Sequence, residues 1–439
     1  MEYIISGLFI IGYGWLAMRN TSHALYVLIF LLPTYLIRFT FGPFPTTLLE
    51  MLTIVLVGTW FYKNYSHFFT TIKTSILEAH KPFTWSYHNF FIISIFLFFI
   101  SSILAMSISP KPLAAFGIWK AYFLEPLLVF FIVTQTLKTT HQKLIGISSG
   151  IVSALGVSLY ALIQYASEGM RATSIYPYPN AVGLFVGPLV ISSFILALYY
   201  IQEKIHRQNG IFFLCACMGM MGGIGVAQTE SMAGVLGIAI LLVLLIHKGC
   251  ARYVGVLTGL GVAGILILNE SLRSFLFQKL FLKDWSGFVH MSIWKETYHM
   301  LQDHWLTGAG LAGYQELFKQ YHTTKGIEIF LYPHNIIMNF WSELGFFGLI
   351  SFLLLLISFV VLMIVALKQY PYGSLDRVLC CTVLFSIGVM VIHGLVDVPY
   401  FKNDLALQFW ILLGIGFSLY TTSREVSPPE AGQALPDSQ

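Results

Sequence analysis

Residues 336–364, IIMNFWSELGFFGLISFLLLLISFVVLMI, hold a single charged side chain, Glu343, in 29 positions. A helix needs ~20 mostly apolar residues to cross the hydrocarbon core of a bilayer, and this run is longer than that. Working outward, similar runs fall at 3–18, 22–40, 45–62, 89–109, 113–137, 143–166, 179–201, 210–227, 231–247, 252–269, 376–398 and 402–421. With the first they make thirteen candidate helices; twelve is an equally good count, because the first run is short and some pairs share tight turns. Composition agrees: 57% of residues are apolar, 16% aromatic and 10% charged, where a soluble domain carries ~25% charged residues. Mean hydropathy is +0.76. The expected fold class is an all-α polytopic membrane protein.

Orientation follows from the cations. If the helices alternate, one side receives thirteen Lys and Arg residues, among them Lys81, Lys204 and Lys248, while the short loops of the other hold Arg38, Lys111, Lys120, Arg171 and Lys402. Cytoplasmic loops are enriched in Lys and Arg, so the first side is expected inside and segment 270–335 outside. The expected organisation is a bundle over 1–269, an extracytoplasmic loop over 270–335, three further spans over 336–421 and a disordered cytoplasmic tail over 422–439. The five cysteines, Cys215, Cys217, Cys250, Cys380 and Cys381, have no zinc or disulfide spacing. The first apolar run lacks the flanks of a cleaved signal and is expected to remain as an anchor.

The loop has its own pattern. Trp294, Tyr298, Leu301 and Trp305 recur at helical spacing, and so do Tyr314, Leu317, Phe318 and Tyr321. Between them, Gly308-Ala309-Gly310-Leu311-Ala312-Gly313 reads as a tight turn. The same string fits GxGxxG, but no strand precedes it, as a dinucleotide site requires.

Ionisable residues in or beside spans are expensive and need a reason. Here they gather at one face: Lys120 and Glu125, Arg171 before Asn180, Glu230, His290, His334 with Asn335, and His393 four residues before Asp397. Pro333 breaks the loop and a helix is expected near Asn335. From there Asn335, Asn339, Ser342 and Glu343 fall within one ~100° arc, a polar stripe facing a protein interior or a wet cavity. His334 stands at its mouth, and a histidine exchanges protons near neutral pH. With a cation nearby for a phosphate, the set suits acid–base chemistry on a phosphorylated lipid; channels and proton-coupled carriers use such stripes too.

The residues Trp294, Gly308-Ala309-Gly310, Tyr314, Pro333-His334-Asn335 and Glu343-Leu344-Gly345-Phe346-Phe347-Gly348 resemble the signature region of the bacterial O-antigen ligase/polymerase family. Arg171 with Pro179-Asn180, and Asp397 before Pro399, extend the likeness from about residue 110 onward, most densely over 288–350. The resemblance implies a GT-C-like, metal-independent glycosyltransferase of the bacterial inner membrane, acting on its extracytoplasmic face without a cofactor. Its donor would be a glycan on an undecaprenyl-type diphosphate, and its acceptor lipid A core, another glycan or a protein; no nucleic acid is implied. His334 would be the catalytic base with Glu343 beside it. Arg171, Lys120, Asn180, Glu230, His290, Tyr314, Asn335, Asn339 and Asp397 would bind diphosphate or substrate. The chain departs from the pattern at Glu230 and His290, where the family commonly has arginines that hold the diphosphate. Arg171, Lys120, or the loop cations Arg273, Lys283 and Lys295 would then take that task. Other readings are a repeat-unit polymerase, a lipid-linked glycan transporter, or a scaffold whose loop binds a partner.

Overall fold

A computed structural model describes residues 2–41, 44–78, 86–202, 206–247 and 249–426. The chain runs through α1 (Glu2–Arg19), α2 (Thr21–Phe30), a 3-10 turn (Leu32–Leu36), β1 (Arg38–Phe41), β2 (Phe44–Thr47), α3 (Leu48–Glu78) and α4 (Tyr87–Ser107). Then come α5 (Pro112–Trp119), a wide π-type turn (Lys120–Leu124), α6 (Glu125–Thr136), α7 (Thr140–Glu168), α8 (Asn180–Gln202) and α9 (Arg207–Val226). After α10 (Glu230–Ile246) and α11 (Cys250–Leu268) the loop contributes α12 (Glu270–Leu280), α13 (Trp285–Asp303) and α14 (Tyr314–Phe318). The closing helices are α15 (Ile336–Gln369), α16 (Leu375–His393) and α17 (Asn403–Val426).

The protein is an all-α polytopic membrane protein. Among the described residues nine helical stretches are long and apolar enough to cross a membrane, counting Pro112–Thr136 as one; Thr21–Phe30 and Glu230–Ile246 are apolar but shorter. Nine is below the twelve or thirteen expected, and one cause is visible. The run 22–40 is not one helix: α2 stops at Phe30, Pro33 opens a 3-10 turn, and β1 pairs antiparallel with β2 from Arg38↔Thr47 to Phe41↔Phe44. A proline fits the first turn of a helix but not its interior, so the apolar run bends where Pro33 sits. Of the expected tail, 422–426 continue α17 and 427–439 lie outside the described residues, as do Lys81, Lys204 and Lys248 from the charge tally.

Without water to drive them together, membrane helices associate through close packing and hydrogen bonds between small polar residues. Ser192 and Ser386 meet at 2.7 Å between α8 and α16, and Ser101 and Ser351 at 3.2 Å between α4 and α15. Aromatic rings from α4, α15 and α17 interlock beneath the site, with the Phe340 and Phe352 centroids 3.9 Å apart and Phe98 against Trp410. Helices α8 and α17 lie at the centre, almost wholly buried, whereas α11 is almost wholly exposed. The loop has a small core of its own, made by Ile293, Met300, Leu301, Tyr314, Phe318 and Ile327.

The element that places the site is α15. Asn335 caps its start, its Oδ1 accepting from the amides of Ile337 and Met338, as asparagine commonly does at that position. Ten residues later the helix breaks: Gly345 has φ 73° and ψ −179°, backbone that only glycine enters readily. Non-helical backbone at membrane depth is tolerated where protein covers it. Here the loop covers it. The Phe346 amide donates to the Leu306 carbonyl at 3.1 Å, the Ala309 amide to Ser342 at 2.7 Å, and the Trp341 indole to Trp305 at 2.7 Å.

Candidate functional site

His334 lies where the loop turns into α15. Its side chain is about a quarter exposed (26%), and its Nδ1 faces Asp397 Oδ1 at 3.5 Å. Its backbone sits at φ 50°, sparsely populated by non-glycine residues. Three contacts hold it there. The Trp294 indole donates to the Pro333 carbonyl at 2.9 Å, Phe330 packs edge-on with ring centroids 4.9 Å apart, and His290 does so at 5.7 Å. Asn335 Nδ2 donates to the Leu395 carbonyl at 2.9 Å, fastening this corner to the α16–α17 connection.

Asp397 lies in that connection and accepts from the Val398 amide at 2.8 Å. Burial pushes its carboxyl up, but His334, His393 and the Val398 amide outweigh burial and leave it below its usual value. His393, one turn earlier, meets Ser231 of α10 through Nε2 at 3.1 Å, while its Nδ1 is buried without a partner. Burial, and then the neighbouring His334, lower the proton affinity of His290, which stacks on Trp294 with centroids 5.7 Å apart. His290, His334, Asp397, His393 and Ser231 thus converge from α13, the loop end, the α16–α17 connection, α16 and α10.

The other expected residues are placed differently. Glu343 is buried; its Oε1 accepts from the Tyr314 amide at 3.3 Å and its Oε2 from the Ala312 amide at 2.5 Å. It therefore clamps the glycine-rich turn onto α15 and is not presented for catalysis. The polar stripe accordingly faces protein rather than a wet cavity. Asn339 on that stripe is fully buried with neither amide atom hydrogen-bonded, and nothing in the structure accounts for it. Asn335 has the capping and tethering roles already given. Tyr314 lies in the loop core, its hydroxyl 2.8 Å from Thr297. Lys120 is ion-paired with Glu50, itself bonded to Thr46 at 2.6 Å.

Arg171 reaches across the α9–α10 turn. Its Nε donates to the Ala227 carbonyl at 2.8 Å, and its Nη2 to Asn180 at 2.7 Å and to the Gln228 carbonyl at 3.3 Å. The guanidinium remains exposed. Glu230 pairs with Lys279 at 2.7 Å, and Lys279 also meets Asp284 at 2.8 Å, so the acid at this turn ties the loop to α10. Arg273 donates to the Ile267 carbonyl at 3.1 Å, Lys283 lies over the Phe277 ring at 4.8 Å, and Lys295 is exposed. Among the described residues no group of three His, Cys, Asp or Glu side chains is placed to hold a metal ion.

One feature at this end escaped the sequence. Lys402, in the α16–α17 connection, has a buried Nζ with no hydrogen-bond partner, 4.1 Å from the centroid of the Tyr178 ring. The available signal was local: a lysine beside a helix start, flanked by Asp397 and Asp404.

The loop is held in shape by Glu296. Its Oε1 accepts from the Thr323 and Thr324 amides at 2.9 and 2.8 Å and from both their hydroxyls, while Oε2 meets His322 at 2.9 Å. Burial alone would raise this carboxyl, but the Thr323 amide, His322 and the two hydroxyls outweigh it and hold it at about 2. A carboxyl depressed in the folded state stabilises fully above its unfolded value and loses that contribution as pH falls through the folded one. The clasp is therefore expected to weaken as pH falls from about 4.5 to about 2 and to be constant above that window. Hydrogen exchange at the Thr323 and Thr324 amides measures this, and protection unchanged down to the lower limit would remove Glu296 from the clasp.

Residues 211–353 match a family model described as O-antigen ligase. The match runs from α9 through the loop and past the break in α15, so it includes Glu230, His290, His334, Glu343 and Gly345. Arg171, Asp397 and Lys402 lie outside it. No curated protein matches the chain. The matched region holds the densest part of the sequence resemblance, residues 288–350, and it supports an assignment to the O-antigen ligase/polymerase family.

Proposed function

We propose that the protein is a membrane glycosyltransferase moving a glycan from a polyprenyl diphosphate, of the undecaprenyl type, to an acceptor hydroxyl at the outer face of the cytoplasmic membrane. The observation that carries this is His334: partly exposed, held in left-handed backbone, and paired through Nδ1 with Asp397 at the seam between loop and bundle. The pairing leaves Nε2 to face a substrate, with Asp397 as positioning residue.

In the step envisaged, His334 Nε2 takes the acceptor hydroxyl proton, and the acceptor oxygen bonds to the anomeric carbon. The bond from that carbon to the diphosphate oxygen breaks, and its electron pair leaves with the diphosphate. Such a leaving group departs without protonation when fixed cations stabilise its charge. No nucleotide sugar or divalent metal enters this scheme. Lipid A core, a growing glycan and a protein are all acceptors compatible with it, so ligase and polymerase share the same site. The bias of Lys and Arg toward the opposite end supports placing this end outside.

A transporter is the reading of another class, since broken helices mark many carriers. In carriers the unwound backbone lines a substrate path. Here the break at Gly345 is filled by loop backbone from Leu306 and Ala309, which favours the enzyme.

The test is transfer by the purified full-length protein in lipid nanodiscs, given a polyprenyl diphosphate glycan and a panel of acceptors. Arg171→Ala is expected to raise the donor KM by about tenfold, as for loss of one charged hydrogen bond, with the acceptor KM unchanged. Equal losses toward both substrates would make Arg171 a latch of the α9–α10 turn and nothing more. No transfer to any acceptor by the unaltered protein would remove the enzyme reading.

A further inference from the structure

The cations at the loop end divide by what they touch. Lys120 is paired with Glu50, Lys279 with Glu230 and Asp284, and Lys111 with Glu316 at 3.1 Å. Arg171 donates to carbonyls of the α9–α10 turn and to Asn180, and Arg273 to carbonyls at the end of α11. Lys402 is different: its ammonium is buried yet donates to nothing.

Its support is rigid. Tyr400 is fully buried, with its hydroxyl donating to the Tyr122 carbonyl at 2.7 Å, and Tyr332 donates to the Phe401 carbonyl at 3.2 Å. The Lys402 amide donates to Tyr400 and its carbonyl accepts from Ala406 at 2.9 Å, so its backbone belongs to the first turn of α17. The side chain leaves this base and meets the face of Tyr178. Asp397 and Asp404 are near enough to favour its charge, though burial is the larger influence and lowers its proton affinity. Neither carboxylate comes within 4.0 Å of it. A ring face replaces only part of the hydration an ammonium loses, and a buried charge is strongly disfavoured unless something completes its hydrogen bonds.

Position along the chain adds a second constraint. Lys402 lies five residues beyond Asp397, the partner of His334, and Tyr178 lies two residues before Asn180, the partner of Arg171. The pair is thus tied through the chain to both the candidate base's partner and the Arg171 latch, and Asp397 is near enough to act on both Lys402 and Tyr178. At positions 230 and 290, meanwhile, this chain has an acid engaged with Lys279 and a histidine stacked on Trp294.

We propose that Lys402 holds a phosphate oxygen of the lipid-linked donor against the wall made by Tyr178, so that the anion is gripped from the α16–α17 side. This rests on the glycosyltransferase reading. Phosphate oxygens also occur in bulk phospholipid headgroups, and the experiment separates the two sources.

The experiment compares the full-length protein with Lys402→Met and Lys402→Arg in nanodiscs of phosphatidylcholine alone or with phosphatidylglycerol. It measures donor and acceptor KM, inhibition by inorganic pyrophosphate, pyrophosphate binding and thermal stability. In Lys402→Met the donor KM and the inhibitory pyrophosphate concentration are each expected to rise about tenfold, with acceptor KM unchanged. Lys402→Arg is expected to restore most of both. An unchanged donor KM with a fall in stability common to both lipids would make Lys402 structural and overturn the proposal. A stability loss seen only with phosphatidylglycerol would assign it to bulk lipid and overturn it equally. If the unaltered protein transfers nothing yet binds pyrophosphate through Lys402, the enzyme reading fails and the anion site stands. If it transfers normally and Lys402→Met leaves every donor measurement unchanged, the site fails and the enzyme stands.

Discussion

His334→Ala is expected to reduce glycan transfer by about 10²–10⁴-fold, the usual contribution of a positioned general base. The loss should fall on kcat, because the imidazole acts on the acceptor proton as the new bond forms rather than on either substrate at rest. Folding should be little affected, since the side chain is partly exposed and makes one ion pair. One complication is the backbone. At φ 50° alanine is strained, whereas asparagine tolerates this region. His334→Asn is therefore the cleaner variant: it retains a polar side chain in the same backbone without the imidazole that would accept the hydroxyl proton. Both variants should lose transfer together while melting close to the unaltered protein. Transfer within a few-fold of normal in His334→Asn would sink the assignment of the base.

Gly345→Ala is expected to be the most destabilising single methyl addition in α15. The backbone at φ 73° and ψ −179° is a glycine-only region, for which other residues are destabilised by ~1–3 kcal/mol. Added to this, a β-carbon would run into the Leu306 carbonyl and the Thr307 backbone, neither of which is the free end of a side chain. Either the helix straightens and expels the loop, or the loop backs away and strands the Phe346 amide. Each route leaves buried backbone groups unpaired, at ~1–3 kcal/mol apiece. The expected result is a much lower melting temperature and rapid proteolysis around 304–313, with transfer lost as a consequence. A variant that melts normally and resists protease would show that the loop does not depend on the break.

Much of the bundle was legible because hydrophobic runs report helices directly. Twelve of the thirteen apolar runs fall mainly on helices, run 22–40 being the exception, and α15 begins one residue after the asparagine expected to open it. What escaped the sequence is what depends on distant partners. Run 336–364 gives no sign of its break, because hydropathy is blind to φ and Gly345 is one of several glycines in apolar surroundings. A carboxylate in a span needs a reason, and the resemblance implies a catalytic one for Glu343. Its need is met by amides of Ala312 and Tyr314, 31 and 29 residues upstream, which no local pattern reveals. Lys120 looked available until the fold brought Glu50 beside it, 70 residues away in the chain. The candidate site divides along the same line. His334 and Asp397 were visible as residue types in suggestive places, whereas the isolation of Lys402 exists only in three dimensions.

The stapling of the 304–313 turn into α15 also constrains how the chain is made. Synthesis delivers the turn first, yet the acceptors for the Ala309, Ala312 and Tyr314 amides are Ser342 and Glu343, which emerge about thirty residues later. Until α15 is in the bilayer the turn has its bonds from Leu311 to Ala105 and Ser109 at the end of α4 but lacks the acceptors of α15, and it stays incomplete while the following helix inserts. A nascent chain halted short of residue 343 would carry every loop residue and still lack the loop's architecture. The same dependence means that 270–335, expressed as a soluble fragment, is the wrong unit of assembly; the smallest piece that contains its own hydrogen-bond partners includes a membrane helix.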